Sequence, residues 1–179
     1  LPSLSTSAVT AIRLSEDGST MAVFQEFPSP ERNILRVLEW DGDRYQAKGE
    51  PVMQTNAEVL QRQLALSDDG KTIAVGLSKC PNLGVLVHSW DEESSSWKQR
   101  VSPTLQGELC DGEFLPWSVA LSHHGLTLAV SAYPDSDTVT VFEWIDDSWQ
   151  IEGEPIPGDL PGSHSSIALS ADGAHLVVG

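Results

Sequence analysis

The sequence predicts an all-β chain of repeated four-stranded antiparallel sheets, on three observations. One motif recurs as LSEDGSTMAV from Leu14, LSDDGKTIAV from Leu66, LSHHGLTLAV from Leu121 and LSADGAHLVV from Leu169. A second follows each of the first three copies: LRVLEWDGDRYQAKGEPV, VLVHSWDEESSSWKQRVSPTL and VTVFEWIDDSWQIEGEPI. The apolar runs are short, rich in β-branched and aromatic residues and bounded by turn residues, and none has a 3.6-residue apolar period over a helical length.

The strands follow in order within each unit. The first carries small and apolar residues up to Leu-Ser, as in Ser118 to Ser122. A Ser-x-Asp-Gly tetrad then suits a type I turn with Gly in the left-handed region and a G1 bulge, because Ser and Asp oxygens can accept nearby backbone N–H groups. The second strand is the apolar run after Gly, such as Thr72 to Gly76. The third ends at Trp40, Trp90 or Trp144, and the fourth starts at Tyr45, Trp97 or Trp149 and runs towards a proline. Their connections, DGDR, DEESSS and IDDS, read as solvated hairpin tips.

The turn glycines Gly18, Gly70, Gly125 and Gly173 recur about every 50 residues, a spacing in the range of propeller blades. Flat blades bury both faces against their neighbours, which accounts for near-continuous apolar second strands and makes the recurring Trp and Tyr inter-blade packing residues. The chain is therefore read as one β-propeller segment, 1–179, with repeats at about 9–58, 59–113, 114–163 and, in part, 164–179. Three full units and two strands of a fourth do not close a ring, since propellers typically need about 4–8 blades. Further blades are expected from the same chain or from other copies. The end, GAHLVVG, stops inside an apolar run and favours the same chain, read as a piece of a longer protein.

The pattern LSxDGxTxAVG…VxVxEWxxxxWxxxGEPI resembles the extracellular-type β-propeller repeats related to FG-GAP and WD-like sequences, common in large algal and bacterial proteins. ALSDDGKTIAVG and VTVFEWIDDSWQIEGEPI match it best, and the resemblance runs from about Val9 onward. It implies the propeller fold and leaves function open, since that fold hosts many activities. The FG-GAP calcium loop DxDxDG has no full copy here; Asp41–Asp43 and Asp135–Asp137 each offer two acids, against the roughly 6–8 oxygens that calcium takes. No cofactor is expected, with calcium a minor alternative.

Charge narrows the partners. Ten Lys and Arg against 26 Asp and Glu give a formal net charge of −16, which reads mainly as solubility; it disfavours nucleic acid and anionic membrane surfaces as partners and leaves cations or basic partners as the functional alternative. No apolar run is long enough for a helical membrane span.

His123 and His124 stand where the sibling turns have Glu16-Asp17, Asp68-Asp69 and Ala171-Asp172, and read as tolerated turn substitutions; metal is the lesser alternative, because two adjacent turn residues need ligands from elsewhere. His88 aligns with Leu38 and Phe142 as a packing residue. Cys80 and Cys110 fall in loops on one side of the blade; a disulfide there would imply an oxidising, extracellular or cell-surface setting, and two free thiols are the equal alternative. On that same side Trp117, Tyr133, Asp135 and Asp137 break the repeat, a set suited to stacking on a sugar or gripping a basic peptide. No nucleophile elbow, phosphate loop or HExxH motif is present.

The expected function is a non-catalytic binding module that takes a protein or carbohydrate ligand on the inter-blade loop face. The alternatives are a lactonase-like propeller hydrolase with a channel calcium, or a purely structural array. A channel calcium needs acids or asparagines at the starts of the first strands, where Thr10, Arg62, Trp117 and Ser165 stand.

Overall fold

The computed structural model describes residues 7–27, 33–55, 63–77, 84–100, 115–133, 138–157 and 166–179, with backbone alone at 115–117 and 132–133. Its strands form four antiparallel sheets. The first holds β1 (Ala8–Leu14), β2 (Thr20–Glu26), β3 (Asn33–Trp40), β4 (Tyr45–Ala47) and β5 (Met53–Thr55). The second holds β6 (Leu64–Leu66), β7 (Thr72–Leu77), β8 (Gly84–Asp91) and β9 (Ser96–Gln99). The third holds β10 (Leu115–Leu121), β11 (Thr127–Tyr133), β12 (Thr138–Ile145), β13 (Ser148–Ile151) and β14 (Ile156–Pro157), and the fourth the hairpin β15 (Ile167–Leu169) and β16 (Leu176–Val178). Each sheet is a meander in sequence order. No helix among the described residues is long and apolar enough to cross a membrane.

The expected fourth strand forms before the proline, and in the first and third sheets an additional short strand follows it. Tyr45–Ala47 pairs with the end of β3 and Met53–Thr55 with its start, while β13 and β14 divide β12 in the same way. Gly-Glu-Pro interrupts both: Gly49 and Gly153 take φ of +76° and +70°, and Pro51 and Pro155 have no N–H to give the ladder.

Alternation along the strands builds a core between each pair of blades. Phe24, Leu35 and Val37 of the first sheet pack with Leu64, Leu66, Ile73 and Val75 of the second. Ala65, Ala74 and Val87 look the other way, onto Val119, Leu128 and Phe142 of the third. Leu64 and Leu66 thus face one neighbour and Ala65 the other, and all six residues of β7 are buried. First strands pack side by side, β1 on β6, β6 on β10 and β10 on β15. They are therefore the edge at which the blades converge.

The recurring aromatics sit at the outer end of this packing. Trp40–Tyr45, Trp90–Trp97 and Trp144–Trp149 are cross-strand pairs with centroids 5.1, 5.4 and 5.1 Å apart. A cation from the preceding blade covers the next pair: Lys48 Nζ stands 5.4 Å over Trp90 and the Arg100 guanidinium 4.9 Å over Trp144. Trp97 Nε1–H donates to the Lys48 carbonyl (3.0 Å), and Arg100 Nη1 donates to the Gly125 carbonyl (2.8 Å).

Candidate functional site

The turns between first and second strands share one wiring. Gly18, Gly70, Gly125 and Gly173 donate N–H to the carbonyls of Ser15, Ser67, Ser122 and Ser170 at 2.9–3.0 Å. Each of those serines receives at Oγ an N–H from Thr20, Thr72 or Thr127 at the start of the second strand, or from His175 just before it. In three turns the Ser hydroxyl also donates to an Asp carboxylate, Asp17, Asp69 or Asp172, at 2.6–2.7 Å. Hydrogen bonds from the Ser19 N–H and the Ser15 hydroxyl hold the Asp17 carboxyl down at about 2.

At the third turn His124 replaces that Asp and reaches the neighbouring blade instead, with Nδ1 3.3 Å from Asp69 Oδ2. Burial pushes the Asp69 carboxyl up, but hydrogen bonds from Ser67, Lys71 and His124 outweigh it and leave it below its ordinary value.

Backbone bonds zip one turn to the next. Glu16 N–H donates to the Asp68 carbonyl (3.0 Å), Asp69 N–H to the His123 carbonyl (3.1 Å) and His123 N–H to the Ala171 carbonyl (2.8 Å). The residue after each Ser therefore stands in a column that crosses the blades: Glu16, Asp68, His123, Ala171. His123 Nδ1 lies 3.6 Å from both Glu16 Oε2 and Asp68 Oδ2. Glu16 and His123 belong to blades that are not neighbours, and such residues meet only where the blades converge. The three donor atoms lie within 4.8 Å of one another, on side chains that are half-buried at His123 and Asp68 and open at Glu16.

Of the other residues singled out from sequence, Trp117 and Tyr133 fall at the other end of the blades. Trp117 lies in β10 and Tyr133 closes β11, with Leu115 paired to Tyr133 and Pro116 to Ala132. The register shifts at Trp117 just as it does at Thr10 in β1, so the two positions share a backbone bulge. Asp135, Asp137, Cys80 and Cys110 lie outside the described residues, as do His164, Arg62 and Ser165. Asp41, half of one two-acid loop, spends Oδ1 on the N–H groups of Asp43 and Arg44 and closes the hairpin tip. His88 is buried in β8.

Sequence reasoning passed over the meeting of Glu16, Asp68 and His123, because it compared the turns as equivalent copies. The signal was that same comparison: equivalent positions at the inner edge of adjacent blades form a ring, so a column of Glu, Asp and His is also a cluster.

No protein-family model matches the chain, and no curated protein matches it. Solved β-propellers do. The chain is similar to the periplasmic gluconolactonase of Pseudomonas aeruginosa, at TM-score 0.62 and 16% identity over 99% of this chain and 48% of that one. It is similar to the β-propeller domain of Cps50 (Swd1) from Myceliophteria thermophila, at TM-score 0.56 and 12% identity over 96% and 50%. The likeness to TolB from Acinetobacter baumannii has TM-score 0.51 and 14% identity over 96% and 37%. The chain spans half or less of the length of each of these structures. At these identities the likeness shows the fold, and the chain is built of β-propeller blades.

Proposed function

We propose that this chain is a non-catalytic β-propeller binding module that takes a positively charged ligand on the face formed by its inner-edge turns. The convergence of Glu16, Asp68 and His123 carries this reading: side chains of three successive blades meet at 3.6 Å on turns held by backbone bonds. A rigid scaffold presenting polar groups on loops is the usual arrangement of a binding face. The net charge of −16 raises the local concentration of cations around it.

A fluorescein-labelled octa-arginine peptide serves as probe. Its fluorescence anisotropy should show binding that weakens with added salt and falls about tenfold in the Glu16→Gln/Asp68→Asn double variant, the scale of two surface charge pairs. Undiminished binding in that variant overturns the turn-face reading. If Trp117→Ala abolishes binding instead, the protein- or carbohydrate-binding place moves to the opposite end of the blades.

A second reading has one observation in its favour, the similarity to the Pseudomonas aeruginosa gluconolactonase. It makes the chain part of a sugar-lactone hydrolase. Following D-glucono-1,5-lactone in a pH-stat decides between them: hydrolysis no faster than in buffer supports the binding module, and turnover that saturates with lactone replaces it with the enzyme.

A further inference from the structure

We infer that Glu16, Asp68 and His123 form a binding site for one divalent transition-metal ion of the zinc class. The assignment rests on the reading of the turn face as a cation-binding face and names its ligand.

What separates this place from an ordinary acidic patch is the imidazole. Two carboxylates alone would suit any hard cation weakly, and calcium would ask for roughly 6–8 oxygens. One imidazole nitrogen beside two carboxylate oxygens is instead a mixed set of donor types that zinc accepts, and imidazole suits zinc, copper, iron and nickel.

The distances fit as well. Donor atoms roughly 2.1 Å from a tetrahedral ion stand about 3.4 Å apart. Here His123 Nδ1 is 3.6 Å from each carboxylate oxygen, and all three donors lie within 4.8 Å of one another. Rotation of the open Glu16 side chain, which is 74% exposed, covers the remaining adjustment.

The turns that carry the ligands are held before an ion arrives. The turn backbones are joined by the bonds Glu16 to Asp68 and His123 to Ala171. The His123 ring stands edge-on to His124, centroids 4.4 Å apart, while His124 is anchored to Asp69. The fourth column position is Ala171, which has no donor side chain, so the fourth coordination place belongs to water or to a group of an incoming ligand. An ion there also neutralises two carboxylates that the fold sets side by side.

Cobalt(II) tests this on the 179-residue chain, because tetrahedral Co2+ absorbs visible light far more strongly than the pink, octahedral hydrated ion. Titration should give the tetrahedral band with one ion per chain, and Zn2+ should displace it. Each of Glu16→Gln, Asp68→Asn and His123→Ala should weaken the ion by about tenfold or more, and His124→Ala by less. The fold tolerates alanine at this column position, since Ala171 occupies it in the fourth turn; circular dichroism of His123→Ala is expected to match the parent. Co2+ binding that survives His123→Ala overturns the assignment, as does Ca2+ binding equal to that of Zn2+ in parent and variant alike. If neither Co2+ nor Zn2+ binds while octa-arginine still does, the metal assignment falls and the cation-binding face stands. If peptide and metals all fail to bind, both fall.

Discussion

At the scale of single residues, the turn glycine does two jobs. Gly125 takes φ +63°, and a Cβ built there would lie 2.3 Å from the Cβ of Thr72 in the preceding blade. Gly70 stands against Thr20 and Gly173 against Thr127 in the same way, so the Thr of the motif is the seat for the next turn. Gly18 has nearly the same φ, +70°, with nothing within 4 Å of its added Cβ. The two substitutions to alanine therefore separate the effects. Gly18→Ala should cost about 1–2 kcal/mol for left-handed backbone alone. Gly125→Ala should cost about 1–3 kcal/mol more, because the turn or Thr72 must shift. Equal losses in urea unfolding would show that the seat bears no strain. The left-handed glycine was legible in Ser-x-Asp-Gly. The Thr contact was not, because it joins different copies of the motif.

At the scale of elements, the sequence placed the strands and their recurring aromatics but ended the fourth strand at the proline. Proline was noticed as an end point, although Gly-Glu-Pro is a break after which pairing to β3 or β12 resumes. Equivalence between copies also marked His88 as a packing residue, and β8 does bury it, with Nδ1 lacking a partner among the described residues. Burial lowers its pKa, so the folded protein holds it neutral while the unfolded chain takes a proton near its ordinary value of about 6.5. The unfolded state then binds more protons below that pH, and His88 withdraws stability as pH falls from about 6.5 through its lowered folded pKa. His88→Leu, which copies the apolar Leu38 and Phe142 of the sibling strands, should raise the melting temperature more at pH 5 than at pH 8. A gain independent of pH would mean that His88 finds a way to be protonated inside the blade.

At the scale of the whole molecule, a row of blades in which each buries its apolar faces only against its neighbours has stability that varies along the row. The second sheet is covered on both faces, by Phe24, Leu35 and Val37 on one side and by Val119, Leu128 and Phe142 on the other. The hairpin β15–β16 has two strands, with Val177 67% exposed, and an isolated pair of strands is marginal in water. Its amides should therefore exchange with solvent first and those of β7 last, at the rate of global unfolding. The inner-edge column gives that gradient a further use. An ion on Glu16, Asp68 and His123 ties three blades without taking a side chain from the fourth, so saturating Zn2+ should slow exchange across the first three sheets and leave β15–β16 exchanging early. Hydrogen exchange followed by mass spectrometry with and without Zn2+ checks both statements. If β15–β16 is protected as well as β7, the blades unfold as one unit and packing between neighbours does not set local stability. If Zn2+ slows all four sheets alike, the ion acts through that unit as a whole.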